Sequence, residues 1–168
     1  FWDIGFLRAW DANQESFGDG TIFKLSTDLP AGSSTGNPTF SKNSPYIIAY
    51  EEVDFDAATF SIVGANIETG ASSTIFRNNK VNYPNYGLSD DRMVFDAATA
   101  GGVDLLGIIP LAADKISAGG SAIGVLEGGH WGYFFANGER DLNTSLESPI
   151  VEDDDLKVYP TLTADLVT

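Results

Sequence analysis

The sequence predicts an all-β chain made of β-propeller blades, and three observations carry that prediction. A strand-turn-strand unit recurs: Asn37-Pro38-Thr39-Phe40-Ser41 leads to Ile47-Ile48-Ala49-Tyr50, and Tyr83-Pro84-Asn85-Tyr86-Gly87 leads to Arg92-Met93-Val94-Phe95, with the two prolines 46 residues apart. A shortened third copy, Gly129-His130-Trp131-Gly132-Tyr133-Phe134-Phe135, sets Phe40, Tyr86 and Trp131 at spacings of 46 and 45. A period in the forties filled with short strands is what one four-stranded blade per repeat produces. Nowhere does an apolar 3.6-residue period persist over about ten residues, so no helix of any length is expected.

Each element follows from local composition. Ile4 to Trp10 and Thr21 to Leu25 form two strands of a preceding blade, joined by the loop Asp11 to Gly20. Pro38 to Phe40 is a short strand, and Ser41 to Pro45 is a turn by composition. Tyr46 to Tyr50 is β-branched and aromatic, hence a buried strand, and Asp54 to Ala58 breaks it. Thr59 to Ile67 and Ser73 to Phe76 are the third and fourth strands, joined by Glu68-Thr69-Gly70, where Gly supplies positive φ. The second unit repeats the order: Pro84 to Tyr86, the turn Ser89-Asp90-Asp91, then Arg92 to Asp96, Val103 to Leu111 and Ala122 to Leu126. Its distal hairpin, Ala112 to Gly120, is longer. Continuous apolar runs imply strands covered on both faces. Phe40, Ile48, Tyr86, Val94 and Trp131 are expected in the core between the sheets. The alternative architecture is a β-sandwich with two similar hairpins.

Composition bounds the rest. The chain has 168 residues, enough for one domain with a core. Three blades at most leave open faces and edges, whereas propellers close with about four to eight. Together with a start at Phe1-Trp2-Asp3-Ile4, inside an apolar stretch, this predicts a partial propeller completed by upstream blades or by partner chains. Acids outnumber bases 24 to 9, for a net charge of −15, which argues against nucleic acid. The same charge suits a soluble, secreted protein. No membrane span or signal peptide is visible. Cys is absent, so disulfides, thiolate nucleophiles and Cys-type zinc sites are excluded within these residues.

The two units quoted above resemble the TolB-like propeller repeat, whose pattern is a Pro, an aromatic two residues on, a Ser-Pro-Asp-Gly turn and a strand ending in Ala-Phe or similar. Here the turns are Ser41-Lys42-Asn43-Ser44-Pro45 and Ser89-Asp90-Asp91, both without the usual Gly. The resemblance spans Gly36 to Asn137 and implies a fold whose members mostly bind proteins, some as accessory domains of peptidases. After the acidic stretch Leu142 to Asp155 comes Leu156-Lys157-Val158-Tyr159-Pro160-Thr161-Leu162-Thr163-Ala164-Asp165-Leu166-Val167-Thr168. It resembles the opening of the C-terminal sorting domain carried by cargo of the type nine secretion system of Bacteroidota, with Thr161-Leu162 where Asn-Pro is usual. The alternative is one further β-strand. The expected organisation is thus propeller blades over 1–142, an acidic linker over 143–155 and the beginning of a sorting domain, a β-sandwich, over 156–168. This implies a secreted or cell-surface location and the secretion machinery as one partner.

Candidate chemistry is sparse. His130 is the single histidine, so a His-based zinc site cannot form. No Gly-x-Ser-x-Gly elbow exists, and a structural role for His130 is expected. Asp11, Asn13, Glu15 and Asp19 alternate somewhat like a calcium loop, but Ser16 stands at the sixth position and Ile22 at the twelfth. They are the weak candidates for calcium, against a solvated hairpin. Asp54 with Asp56, Asp90-Asp91 and Asp153-Asp154-Asp155 read as turn or linker acids, and the Gly pairs lack a phosphate-loop context. The chain is therefore expected to be a non-catalytic binding or scaffold module without a cofactor. Protein partners would meet loop aromatics Trp10, Tyr83 and Trp131. The alternatives are an accessory propeller of a larger secreted hydrolase and a subunit of a cell-surface assembly.

Overall fold

In the computed structural model, which describes residues 3–7, 10–25 and 29–135, every regular element is a β-strand. The expected linker at 143–155 and sorting segment at 156–168 lie outside the described residues. β1 (Gly5–Leu7) and β2 (Ile22–Lys24) form a two-stranded antiparallel sheet. β3 (Ser33–Phe40), β4 (Ile47–Asp54), β5 (Thr59–Asn66) and β6 (Ser72–Asn78) follow as a four-stranded meander, here the first sheet. β7 (Asn85–Tyr86), β8 (Arg92–Ala98), β9 (Asp104–Pro110) and β10 (Ile123–Glu127) form the second four-stranded meander.

The acids of the sequence close the turns. Asp54 Oδ1 accepts from Asp56 N–H and Ala57 N–H, and Asn66 Oδ1 from Glu68 N–H and Thr69 N–H. Asp114 Oδ1 does the same for Ile116 and Ser117. Side chains that mimic a backbone turn explain why Asp and Asn sit between the apolar runs.

Packing is in layers. Ile47, Ala49, Ile62 and Ile75 of the first sheet meet Tyr86, Met93, Phe95, Ala97 and Ile109 of the second, with Leu111 and Ile116 from the hairpin beyond β9. The opposite face of the first sheet, with Ile48, Tyr50, Val63 and Ala65, packs on Ile4, Phe6 and Leu25. Strand alternation assigns the faces: pairing sets Phe40 beside Ile48 and Tyr86 beside Met93, so each aromatic looks toward the preceding layer. Tyr86 meets a full sheet and is buried. Phe40 meets only the two-stranded sheet, touching Phe6 at 6.4 Å between ring centroids, and stays 50% exposed. The expected burial of Phe40 fails because the layer before it is short. Tyr86 lies between the two four-stranded sheets as expected, whereas Ile48 and Val94, though buried, do not: Ile48 faces the small sheet and Val94 the outer face of the second.

Two close contacts fix the stacking. A Cβ on Gly64 in β5 would lie 2.5 Å from the Ile116 carbonyl oxygen, so the β9–β10 hairpin presses its backbone on the first sheet there. Near it, Tyr86 Oη donates to the Lys115 carbonyl at 3.0 Å. Burial pushes the Tyr86 phenol well above its usual range, and the charges of Asp90 and Asp114 add to this. The second contact is Asp90. Its buried carboxylate accepts from Ser41 Oγ at 2.7 Å, from Lys42 N–H at 2.7 Å, and from the backbone N–H and side-chain amide of Asn43. Lys115 Nζ adds a contact at 3.3 Å and also reaches Ser44 Oγ. One carboxylate thus joins the turn of the first sheet, its own turn and the long hairpin.

Burial acts to raise the Asp90 carboxyl, but its donors more than offset this and hold it below the ordinary carboxylate range. A lowered folded value contributes stability that is present above about pH 4 and lost as pH falls through the folded value. Asp90→Asn tolerates the positive φ of 54° at this position but turns an amide donor toward several donors. It is expected to cost about 2–3 kcal/mol in urea unfolding at pH 7. The gap to the parent protein should narrow below about pH 4, since the parent alone loses a charge there. An equal gap at all pH values would exclude this role for Asp90.

Candidate functional site

The strongest candidate site lies where successive units begin. Asn37, Tyr83 and Trp131 share a left-handed backbone, with φ of 48°, 43° and 53°. Asn tolerates this region, but Tyr and Trp held there store strain of about 1–3 kcal/mol each. Each is followed by a residue that lacks either a backbone N–H or a Cβ: Pro38, Pro84 and Gly132. A Cβ on Gly132 would come within 2.5 Å of Val94 Cγ2, so only Gly lets this segment lie on the second sheet.

This geometry corrects the repeat register. Trp131 matches Asn37 and Tyr83, not Phe40 and Tyr86; the residue three places on, Phe134, takes the latter position and is half-buried. Trp131 is therefore not a core residue but 65% exposed, against the expected burial between sheets. Aromatic identity alone misaligned the third copy because it carries no information on φ.

Under each left-handed turn of the second and third copies lies a buried carboxylate. Glu51 in β4 and Asp96 in β8 are 45 residues apart, occupy equivalent strand positions, and point toward the following unit. Glu51 Oε1 accepts from Asn82 N–H at 2.6 Å and from Asn82 Nδ2 at 3.1 Å, while Oε2 accepts from Asn37 Nδ2 at 3.0 Å. Asp96 Oδ1 accepts from Trp131 N–H at 2.8 Å, and Oδ2 lies 3.1 Å from His130 Nδ1. His130 thus holds the place of Asn82. Its Nε2 lies 3.1 Å from Asp104 Oδ2, and Asp104 also pairs with Lys80. The Lys80 ammonium, with a smaller contribution from His130, holds the Asp104 carboxyl below its usual range.

Above these carboxylates, Asn37, Pro38, Tyr83, Pro84, Asn85, Trp131 and Tyr133 line a groove of about 200 Å³. Tyr83 and Trp131 meet edge to face, 6.2 Å between centroids at 84°, and Tyr133 is 75% exposed. The lining offers aromatic faces and two amides but no charged side chain, which suits an uncharged, flat or extended ligand segment. Of the expected recognition aromatics, Tyr83 and Trp131 meet here. Trp10 packs instead on Phe17, at 4.9 Å, and lines no part of the groove. Tyr133, Asn37 and Asn85 were missed in the sequence; the Pro-containing repeat at 37–38 and 83–84 was the available signal.

The weak calcium candidates are not gathered into a site. Asp11 Oδ1 accepts from Asn13 N–H and Gln14 N–H, a backbone bridge closes Asp11 on Ser16, and Asp19 Oδ1 accepts from Thr21 N–H. Among the described residues no group of three or more His, Asp or Glu could hold a metal ion. No helix of the described residues is long and apolar enough to cross a membrane. Comparison with protein-family models, with curated proteins and with solved structures finds no match.

Burial raises the Glu51 carboxyl above its usual range, against the opposing hydrogen bonds from Asn82 and Asn37. A raised carboxyl burdens the fold when charged, and the burden is relieved as pH falls through the folded value. Glu51→Gln keeps an acceptor without the charge. It is expected to match or exceed the parent's stability at pH 7, by up to about 1 kcal/mol, with the advantage fading toward pH 4. Glu51→Ala leaves the buried Asn82 donors unpaired and should cost about 2–3 kcal/mol. Urea unfolding at pH 7 and pH 4 reads both; a Gln variant as unstable as the Ala variant would refute the account.

Proposed function

We propose that this chain is a non-catalytic binding module built of β-propeller blades. In this reading the two four-stranded meanders are consecutive blades, the two-stranded sheet belongs to the one before, and Trp131 to Phe135 opens the one after. The observation that carries it is the repeated junction. Left-handed residues recur at Asn37, Tyr83 and Trp131, a buried carboxylate lies beneath the second and the third, and the two four-stranded sheets pack face to face. Propellers stack blades in this way and place recognition at one end, where successive innermost strands begin. The groove of Tyr83, Trp131 and Tyr133 is then the recognition surface, and the partner is a protein offering an extended, proline-containing or aromatic segment. The net charge of −15 favours a basic partner and speeds its encounter.

The resemblance of residues 156–168 to a sorting segment supports export by a type nine route and a secreted or cell-surface location. A second reading, a subunit of a surface assembly, is favoured by one observation: Ile123 and Leu126 on the outer face of the second sheet are exposed. A partner chain could supply the covering layer there.

Two experiments test this. Arrays of extended, proline-containing uncharged peptides carrying basic flanks and of neutral oligosaccharides should show peptide binding that weakens on the order of tenfold in Tyr83→Ala and Trp131→Ala with unchanged melting temperature, as for an aromatic anchor worth about 1.4 kcal/mol. Binding confined to oligosaccharides, or unaffected by both changes, refutes the protein-binding groove. A reporter fused to residues 142–168 with their native continuation should reach the surface or medium of a Bacteroidota host. Normal export of the protein deleted from Leu156 onward would remove the sorting-segment reading.

A further inference from the structure

The two junctions differ in one chemically decisive residue. At the first, Asn82 grips Glu51 with an amide, which does not titrate. At the second, His130 grips Asp96 with an imidazole, which does. We infer that His130 is a pH-sensitive latch that holds the segment 129–135, and with it Trp131, on the outer face of the second sheet.

The geometry sets the sign. Nδ1 and Nε2 of His130 lie 3.1 Å from carboxylate oxygens on two different strands, Asp96 of β8 and Asp104 of β9. A neutral imidazole carries one N–H and can donate to only one of them; the other contact then sets a nitrogen lone pair against an oxygen lone pair. The imidazolium donates to both, and both bonds are charge-assisted. Among the described residues, the charged groups bonded to it are those two carboxylates, with Lys80 paired to Asp104 behind them; the Trp131 ring stands beside it at 6.3 Å. Protonation therefore tightens the latch, and deprotonation loosens it.

What the latch holds is under tension. Trp131 sits at a φ of 53°, and its N–H is tied to the same Asp96 carboxylate. When the imidazole grip weakens, the strained turn gains a route back to ordinary φ. The Trp131 ring then leaves Tyr83. The first junction has no such device, because Asn82 is buried, neutral and bonded on both its amide ends, to Glu51 and to Asn78. This inference is independent of the ligand assigned to the groove.

Nuclear magnetic resonance on the whole chain tests it, since the single histidine gives unambiguous imidazole signals. As the ring signals report loss of the imidazolium proton with rising pH, the protection of the Trp131 amide, corrected for intrinsic exchange, should fall on the order of tenfold, as for loss of one charge-assisted bond. The Gly87 amide, which donates to the Arg92 carbonyl at 2.8 Å, is the internal reference and should keep its protection. His130→Asn installs the side chain of the first junction; it should fold with an unchanged melting temperature at pH 8 and remove the pH dependence at Trp131. The latch is refuted if the imidazole titrates while Trp131 protection stays level. It is equally refuted if Gly87 loses protection in parallel, or if His130→Asn retains the pH response.

Discussion

Three buried carboxylates, Glu51, Asp90 and Asp96, impose the constraint on which the layering depends. A charged group under an apolar sheet is costly unless its lone pairs are met by donors. None of the three is satisfied within its own meander alone. Glu51 of the first sheet takes its shortest bond from the chain entering the second; Asp90 of the second takes its bonds mainly from the turn of the first; Asp96 takes its bonds from the segment that leaves the second. Each sheet is thus incomplete without its neighbour. Apolar burial supplies the gross drive for stacking, but it is tolerant of sliding. The carboxylates are not, because a shift of an ångström or two would leave a buried charge without partners.

The same logic explains the asymmetry between the two ends of the stack. The first sheet is covered on one side by a complete sheet and on the other by two short strands, which leave Phe40 half exposed and grooves of about 500 and 580 Å³ beside them. Among the described residues, the second sheet has its partner on one side and the segment 129–135 on the other. The contact between the two four-stranded sheets is close-packed, as the approach of Ile116 to Gly64 requires.

How much of this was legible in the sequence depends on the physical variable involved. Strand positions were, because apolar runs broken by Asp, Asn and Gly record both burial and turn chemistry: β5 was expected at Thr59 to Ile67 and lies at Thr59–Asn66. Strand lengths were less so; β3 begins at Ser33, five residues before its expected start, because small polar residues such as Ser34 and Thr35 pair in a ladder without announcing it. The long-range carboxylate clasps were invisible. Glu51 follows an apolar strand as many surface acids do, and only the fold brings Asn82 to it. The left-handed φ at Tyr83 and Trp131 was equally hidden, since neither residue type favours it. That is why the groove had to be found by geometry, although two of its aromatics were named in advance.

The hidden features are also the ones that build the site. A left-handed turn swings Tyr83 and Trp131 out of the strand direction and into mutual contact, and it persists because a buried carboxylate holds the adjoining backbone N–H groups. Strain of this kind survives only where surrounding bonds over-determine the backbone. Asn37, Tyr83 and Trp131 come from three successive units, so no single unit contains the groove. Recognition, if carried by these aromatics, is then a property of the stacking itself: a change deep under the turn, at Glu51 or Asp96, reaches the surface by releasing the backbone rather than by touching a ligand. In the latch inferred here, an imidazole at His130 stands where Asn82 offers an amide, and each grips a buried carboxylate beside a left-handed residue, Asp96 in one case and Glu51 in the other.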